Sequence, residues 1–346
     1  MKILLGTHAF APSIGGIETC SLDLALAFSK LGHDVQVLTQ TPSGNPDEDC
    51  GLKVIRRPAT PALLKAISWC DIFFQNNISL QTAWPLMFIR KPWVVSTQTW
   101  LHKPDGSANL LGHLKKLALR FATNIYISRA VRDRAGAQGT VVPNPYDDTT
   151  FRLITGICRE RSVVFLGRLV KDKGCDILIQ SLAELKNSGL VVPLTIIGKG
   201  PDEAPLRSLV EAERLSGQVR FAGALKGENL ARELNRHKVL VVPSRWDEPF
   251  GIVALEGIAC GCLVVGATGG GLPDAIGPCG VTFKTGDHIH LAQMIEGLIN
   301  QQMVSEQHQE ALSKHLDSHR VEFIAARYVE IFEQVYSSEA YAKNGL

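Results

Sequence analysis

Two acidic residues, Glu248 and Glu256, lie at the start of one predicted helix and have the spacing to hold a single ligand. From Gly251 onward the stretch EPFGIVALE is apolar almost all round, so this helix is expected to be buried against a sheet. A carboxylate inside such a helix, Glu256, must find hydrogen-bonding partners or shift its pKa. Eight helical residues span roughly 12 Å, more than the roughly 5 to 9.5 Å between hydrolytic carboxylates. The pair therefore suits a ligand with hydroxyl groups at both ends, such as a nucleotide sugar. The alternative is that Glu248 is a surface acid of a loop and Glu256 a core acid whose hydrogen bonds are made within the protein.

Two groups of hydrogen-bond donors accompany these carboxylates. The first is the helix start, where the free N–H groups of Gly251, Ile252 and Val253 suit an anionic or polyhydroxylated ligand. The second is the loop GRLVKDKG, which lies between a predicted strand and a predicted helix. Its Arg168 offers a forked donor, its Lys173 a compact charge, and the following helix adds its dipole. Such a loop suits a diphosphate, and the alternative is a merely exposed basic loop.

The elements that position these residues follow the pattern of a doubly wound α/β protein. Lys2–Gly6 reads as a buried strand, Ile17–Leu31 as a helix and Val35–Thr39 as a second strand. The same order of strand, loop and helix restarts at Ser162–Leu166, and the weakly periodic segment Thr149–Glu160 reads as a linker. We therefore expect two α/β domains with the boundary in this linker.

A dinucleotide-dependent oxidoreductase is the natural competitor for the first domain. Its loop, however, contains the pair Gly15-Gly16 instead of GxGxxG, and its second strand ends in Thr39-Gln40-Thr41. A dinucleotide site needs an acid there for the ribose, so this function is disfavoured. Gly15 and Gly16 either let the backbone approach a phosphate or sugar, or serve only a tight turn.

Composition limits the function further. The 346 residues are 45% hydrophobic and 20% charged with a net charge of +2, which is ordinary for a globular enzyme and gives no footprint for a nucleic-acid partner. The eight cysteines include no CxxC pair, which favours buried reduced thiols and a cytoplasmic location. The first residues are too short an apolar run for a signal peptide, and no run reaches membrane-spanning length.

One further segment, NLLGHLKKLALRFA, reads as an amphipathic helix. We expect its apolar side to be a core stripe beneath a solvated basic face. The alternative is contact with an anionic membrane or a phospholipid-linked acceptor, on the inner face of the cell membrane. The apolar side comprises Leu110, Leu111, Leu114, Leu117, Ala118 and Phe121, and the basic side His113, Lys115, Lys116 and Arg120.

Three stretches resemble one known family. EPFGIVALE resembles the E-x7-E signature of retaining GT-B glycosyltransferases of family 4, the glycosyl transferases group 1. GRLVKDKG resembles the family's basic GR-x(3–4)-KG loop, and GCLVVGATGGGLPDAI its strand and glycine-rich loop. VVPNPYD resembles the turn that ends the first half of these enzymes, with Pro145 in place of a glycine. The resemblance covers most of the chain and is strongest from residue 161 to 286.

The resemblance implies a GT-B fold, with two facing Rossmann-like domains, parallel sheets and an interdomain cleft. The expected domains are residues 1–148 for the acceptor, 149–320 for the nucleotide sugar, and a helical segment 321–346 that crosses back to the first domain. The implied activity is transfer of a hexose from a UDP- or GDP-sugar to an acceptor hydroxyl with retention, without a metal or other cofactor. A glycan or lipid-linked acceptor in bacterial polysaccharide or glycolipid biosynthesis is expected from the family.

The resemblance also assigns roles to individual residues. Glu248, Arg168 and Lys173 are the expected catalytic groups. Gln98 stands where many relatives have a histidine near the transferred sugar, and His102 is the other candidate for that acceptor-side role. The expected donor-binding residues are Gly15, Gly16, Arg168, Lys173, Gly223, Glu248, Phe250, Gly251, Ile252, Val253 and Glu256.

Two other functions fit the same architecture. A sugar-nucleotide epimerase with the GT-B shape would carry acid and base residues in both domains, and it explains the paired basic and acidic motifs less directly. A non-catalytic nucleotide-sugar-binding scaffold is the second, favoured only by Gln98 at the histidine position.

Overall fold

The computed structural model describes residues 1–13, 15–42, 50–101, 110–300 and 306–344. The chain divides into two compact units. The N-terminal unit combines Met1–Pro145 with Val321–Leu346, and the C-terminal unit is Tyr146–Arg320. This division precedes by a few residues the boundary expected after residue 148.

The N-terminal unit is built on a seven-stranded sheet in which every pair of neighbours is parallel. Its central strands are apolar and buried on both faces, as helices on both sides of a parallel sheet require. The strands are β1 (Lys2–Thr7), β2 (Asp34–Thr39), β3 (Lys53–Arg56), β4 (Ile72–Asn76), β5 (Trp93–Thr97), β6 (Thr123–Tyr126) and β7 (Thr140–Val141), in the spatial order β3-β2-β1-β4-β5-β6-β7. The helices between them are α1 (Gly16–Lys30), α2 (Thr60–Trp69), α3 (Leu80–Ala83), followed by a 3-10 turn (Trp84–Met87), α4 (Leu110–Leu119) and α5 (Arg129–Ala135).

The C-terminal unit repeats the plan with six parallel strands. Its strands are β8 (Arg161–Leu166), β9 (Leu194–Ile197), β10 (Val219–Gly223), β11 (His237–Val242), β12 (Leu263–Ala267) and β13 (Gly280–Phe283), in the spatial order β10-β9-β8-β11-β12-β13. Its helices are α6 (Cys175–Asn187), α7 (Glu203–Ala212), α8 (Gly227–Asn235), α9 (Ile252–Ala259), α10 (Leu272–Ile276), α11 (His288–Asn300) and α12 (Glu306–Asp317). Two Rossmann-like α/β units with wholly parallel sheets confirm the predicted fold class.

The last helix, α13 (Val321–Asn344), packs on the sheet of the N-terminal unit beside α1. The rings of Tyr328 and Phe332 pack edge-on against Phe28 of α1 and at a tilt against Phe74 of β4, with ring centroids 5.2 to 6.2 Å apart. The Tyr328 hydroxyl also lies 2.8 Å from Ser96 Oγ inside this core. The hydrophobic side of α13 therefore completes the core of the first unit.

The two ends of the C-terminal unit lie side by side. Tyr146, its first residue, forms a parallel β-bridge with Arg320, its last. The Tyr146 N–H donates to the carbonyl of His319 over 3.2 Å. The unit therefore begins and ends at one point on its own surface.

The amphipathic segment forms α4, but its apolar side is not the core stripe that the sequence favoured. Within α4 only Gly112 and Leu119 are buried, and Leu119 joins Val95 and Ile78 in a small cluster. The helix therefore rests on the sheet through its Gly112–Leu119 side, which carries the half-buried stems of Lys115 and Lys116. The residues of the expected stripe that face outward are Leu110, Leu111, Leu114, Leu117 and Phe121.

Candidate functional site

The candidate site lies at the carboxyl edge of the C-terminal sheet, between β8 and β11. From β8 the chain proceeds outward through β9 and β10, and it then returns to place β11 on the other side of β8. Connections that diverge in this way leave a crevice beyond the strand ends, which is the usual ligand position in open parallel sheets. The basic loop follows β8, and the segment with Glu248 follows β11.

These two loops are in direct backbone contact. The basic loop ends in a 3-10 turn, Lys171–Lys173, and then in Gly174 with φ +66°. A Cβ atom at Gly174 would lie 2.0 Å from the carbonyl oxygen of Pro243, directly after β11. The Arg245 N–H donates to the carbonyl of Asp172 over 2.8 Å. Only glycine allows this approach, which brings the loops after β8 and β11 together.

Lys173 and Glu248 form an ion pair at this junction. Lys173 Nζ lies 2.5 Å from Glu248 Oε1, although the two residues are 75 positions apart in the chain. Glu248 is 8% exposed, and the Lys173 side chain is 24% exposed. An ammonium group has three N–H donors, so Lys173 has donors left for a second anionic ligand such as a phosphate oxygen.

Ser244 is a site residue that the sequence analysis did not single out. Its buried hydroxyl donates to the same Glu248 Oε1 atom over 2.7 Å. Oε1 thus accepts from both Ser244 and Lys173, which fixes the carboxylate and leaves Oε2 for other donors. The only indication in the sequence was a small polar residue directly after an apolar strand.

The glycine-rich loop after β12 holds the backbone of Glu248. Glu248 forms a parallel bridge with Gly270, and the Gly271 N–H donates to the Glu248 carbonyl over 2.7 Å. Gly270 has φ +70°, and a Cβ there would lie 2.2 Å from the Glu248 carbonyl oxygen. Three adjacent strands, β8, β11 and β12, therefore contribute loops to the surroundings of one carboxylate.

The start of α9, at Ile252, comes four residues after Glu248. Phe250 is buried and stacks on His319, with ring centroids 6.0 Å apart, so its side chain anchors the turn. Gly251 precedes the helix with φ +116°. Within the described part of the chain, no acceptor takes a hydrogen bond from the N–H groups of Gly251, Ile252 or Val253. These are the N–H groups that the sequence singled out as donors for a ligand.

Glu256 lies in the second turn of α9. Burial, together with the nearby negative charge of Asp147, raises the pKa of the Glu256 carboxyl to about 7. Burial of Asp147 raises the pKa of its own carboxyl group, but hydrogen bonds from Thr149 and Thr150 outweigh this and hold that pKa below its usual value. Of the two outcomes that the sequence left open for Glu256, the structure favours a raised pKa.

Two other predicted donor residues are not among the groups that contact Glu248. Arg168 is exposed at the start of the basic loop, and none of the described side chains forms an ion pair with it. Gly223 ends β10 with φ +69°, and its carbonyl accepts from the Gly198 N–H over 2.8 Å. Since β9 separates β10 from β8, Gly223 lies along the sheet edge and away from Glu248.

The predicted residues of the first half belong to the N-terminal unit. Gly15 and Gly16 begin α1 after β1. Gln98 follows β5 and is 4% exposed, with its Nε2 donating to Asn76 Oδ1 at 2.7 Å and Ser96 Oγ at 2.9 Å. His102 lies outside the described residues.

The described residues contain neither a metal-binding cluster nor a membrane-spanning helix. They contain no group of three or more His, Cys, Asp or Glu residues arranged to hold a metal ion. They also contain no helix long and apolar enough to span a membrane.

Comparison of the sequence with known proteins places similarity in the second half of the chain. Residues 150–315 match the model of the family described as Glycosyl transferases group 1. A glycogen synthase of Mycobacterium tuberculosis is 31% identical over 158 residues, which are 45% of this chain and 38% of that protein. A phosphatidyl-myo-inositol mannosyltransferase of Mycolicibacterium smegmatis is 33% identical over 156 residues, which are 44% of this chain and 40% of that protein. The matching region thus spans less than half the length of these relatives.

Solved structures resemble nearly the whole chain. The Anabaena protein HepE, in complex with UDP and glucose, has a TM-score of 0.75 at 21% identity, covering 96% of this chain and 99% of that one. A sucrose-phosphate synthase of Thermosynechococcus elongatus has a TM-score of 0.76 at 19% identity, covering 98% and 100%. These likenesses show the fold, which is that of GT-B glycosyltransferases. Residues 150–315, which include the Lys173–Glu248 pair, are thus the part of the chain whose sequence is similar to the glycosyl transferases group 1 family.

Proposed function

We propose that this protein is a retaining glycosyltransferase that transfers a hexose from a nucleoside diphosphate sugar, with UDP or GDP, to an acceptor hydroxyl. The observation that carries the proposal is the buried contact of Lys173 and Ser244 with Glu248, between the basic loop and the start of α9. This contact lies inside the segment that matches the glycosyltransferase family. The UDP and glucose bound by the similar Anabaena protein also support a nucleotide-sugar donor.

In this proposal the basic loop binds the diphosphate. Arg168 is exposed and offers a forked set of donors to two phosphate oxygens. Lys173 uses its remaining N–H donors for the same diphosphate while it holds Glu248. Both cations neutralise the charge that develops on the leaving diphosphate, which is the largest electrostatic requirement of the step.

The sugar and nucleoside bind along α9 in the same scheme. Glu248, fixed through Oε1, uses Oε2 to orient sugar hydroxyls, and the amides from Phe250 to Val253 hold sugar and phosphate. Glu256 accepts hydrogen bonds from the ribose, and its ionisation near pH 7 makes this binding pH-dependent. Gly223 borders the nucleobase in this scheme.

We propose that no metal takes part, because two cations and a helix start supply the positive charge that a metal would bring. The acceptor is proposed to be a glycan or a lipid-linked sugar, and Gln98 is the residue assigned to its side. The mannosyltransferase among the relatives, whose name includes phosphatidyl-myo-inositol, supports a lipid-linked acceptor. Polysaccharide or glycolipid biosynthesis in the cytoplasm is the corresponding process.

The test is a titration of the purified chain with UDP, GDP and their common sugar conjugates, in the presence of a chelator. Saturable binding of one nucleotide sugar, with slow release of its sugar, is expected. Conversion of the sugar to its epimer would instead identify an epimerase, and binding with no turnover on any acceptor would identify a scaffold. Binding to no nucleotide, or turnover that the chelator abolishes, would contradict the proposal.

Two variants test the division of roles. Arg168→Ala should weaken binding of the nucleoside diphosphate itself, whereas Glu248→Ala should mainly weaken the sugar contribution. Arg232→Ala, which removes an exposed arginine from α8, is the matched control and should change neither. Equal loss of UDP or GDP affinity in both site variants would refute the assignment.

A further inference from the structure

Arg245, in the loop after β11, contacts the chain on both sides of Lys173. Its N–H donates to the carbonyl of Asp172 over 2.8 Å, and the N–H of Trp246 donates to the same carbonyl over 3.3 Å. Its guanidinium group forms an ion pair with the carboxylate of Asp176. Arg245 is therefore bound to the turn before Lys173 through its backbone and to the helix after Lys173 through its side chain.

Asp176 is the second residue of α6, the helix that follows the basic loop. The dipole of a helix gives its N-terminus a partial positive charge, which favours an anionic ligand there. A carboxylate in the first turn opposes such a ligand, because the two negative charges repel each other. Asp176 would therefore weaken the binding of a diphosphate at the basic loop unless a cation offset its charge.

The charges of the two loops are balanced only when Arg245 is counted. Residues 167–176 and 243–251 together include four basic and four acidic residues, so loss of Arg245 leaves them with a net negative charge. One of the other cations, Lys173, is already paired with Glu248. The side chains of Arg245 and Asp176 are 37% and 32% exposed, and ion pairs of this kind contribute little to the free energy of unfolding. The effect of Arg245 on a bound anion is therefore the larger consequence of the pair.

We propose that Arg245 is a positioning residue of the diphosphate site, which holds and neutralises the Asp176 carboxylate so that the basic loop and α6 accept a doubly charged diphosphate. Arg245 acts through Asp176 and does not contact the reacting atoms. This inference rests on the proposed function, because that function assigns the diphosphate to Arg168 and Lys173. It adds that the loop after β11 controls the affinity for the charged part of the donor.

The test is a double-mutant cycle of Arg245→Gln and Asp176→Asn, read as the affinity of the full-length chain for UDP and GDP at low salt. A carboxylate about 8 Å from two phosphate charges in water weakens binding about fivefold, so Arg245→Gln should lose about that much affinity. The loss should shrink as salt is added. Asp176→Asn in the same chain should restore the affinity, and Arg245→Lys, which keeps the charge, should stay within about twofold of wild type.

The matched control is the ion pair of Arg132 and Asp133 in the N-terminal unit, whose atoms are 3.0 Å apart and whose side chains are 42% and 64% exposed. Arg132→Gln, with or without Asp133→Asn, should leave nucleotide affinity unchanged, and all variants should keep the circular dichroism of the wild type.

Three results would overturn the inference while the wild type still binds a nucleotide. The first is unchanged affinity in Arg245→Gln. The second is a loss that Asp176→Asn does not restore, which would mean that Arg245 itself contacts the ligand. The third is an equal loss in Asp176→Asn alone, which would make the pair a mechanical link. A wild type that binds neither UDP nor GDP would instead refute the proposed function, and this inference with it.

Discussion

The ion pair between Lys173 and Glu248 gives the sharpest test of the site geometry. Lys173→Met removes the cation and leaves a carboxylate that is only 8% exposed. The Ser244 hydroxyl alone then remains on Oε1. We expect this variant to destabilise the C-terminal unit, and Glu248→Gln in the same chain to restore much of the loss by removing the unpaired charge.

The magnitude follows from the distance and the burial. At 2.5 Å and an effective dielectric constant of about 20, the Coulomb attraction is about 7 kcal/mol, and desolvation of the two groups offsets most of it. Removing one partner of a buried pair costs about 3 to 5 kcal/mol. Because the Lys173 side chain is 24% exposed, we expect a loss of about 3 kcal/mol and a coupling energy of about 2 kcal/mol.

The assay is a double-mutant cycle of Lys173→Met and Glu248→Gln, read by hydrogen exchange of the β11 amides. A local probe is needed because the two units need not unfold together. The Arg152–Glu228 pair is the matched control: its atoms are 3.1 Å apart, but both side chains are 52% exposed. Arg152→Met with Glu228→Gln should show a coupling energy below about 0.5 kcal/mol. A coupling energy this small for Lys173 and Glu248 would refute the buried contact.

Three other predictions concern the same unit. Ser244→Ala removes a hydrogen bond to a charged group and should lower kcat by about 10- to 100-fold while changing UDP or GDP affinity little; unchanged kcat would show that Glu248 needs no such support. The carboxyl group of Glu256 has a pKa of about 7 in the folded protein and 4.5 in the unfolded chain. Its ionisation therefore lowers the free energy of unfolding by up to about 3 kcal/mol above pH 7 and has no effect below about pH 4.5. Glu256→Gln should therefore be more stable than wild type in urea at pH 8 and equally stable at pH 4.5, and equal stability at pH 8 would contradict the raised pKa. Gly174→Ala should lower the free energy of unfolding by more than about 2 kcal/mol and weaken nucleotide binding, because the added Cβ meets the Pro243 carbonyl oxygen. The control is Gly189→Ala, at a residue with φ +93° in open space, which should lower the free energy of unfolding by about 1 kcal/mol and leave nucleotide binding intact. Similar melting temperatures of the two variants would rule out the backbone clash.

The sequence predicted those parts of the fold that local patterns determine. The apolar runs of β8 and β11, with a polar or glycine-bounded loop after each, were sufficient to place both strands and both loops. Gly174 was recognised as the end of the basic loop, but its packing against Pro243 depends on which strands are neighbours. Strand order is a long-range property, and no pattern near either residue encodes it.

The same limit applies to the site. Glu248 and Lys173 were both predicted, but with separate roles, and their direct contact across 75 positions appears only in the structure. Ser244 was missed because a serine after a strand is common and its hydroxyl gains meaning only beside Glu248. The outward leucines of α4 were assigned to the core, since periodicity identifies an apolar side but not the surface that it meets.

The adjacent ends of the C-terminal unit bear on how such a chain could be rearranged. Because Tyr146 and Arg320 are paired by a β-bridge, residues 146–320 are topologically an insert that leaves and rejoins its host at a single point. Such an insert can be exchanged for a homologous module by cutting the chain before Tyr146 and after Arg320. Because these two positions are adjacent, the new module needs no long linker at either end. A recombination event at these two positions would replace the whole Lys173–Glu248 site while leaving α13 in its own core, so the donor specificity proposed for this site would be inherited separately from the N-terminal unit.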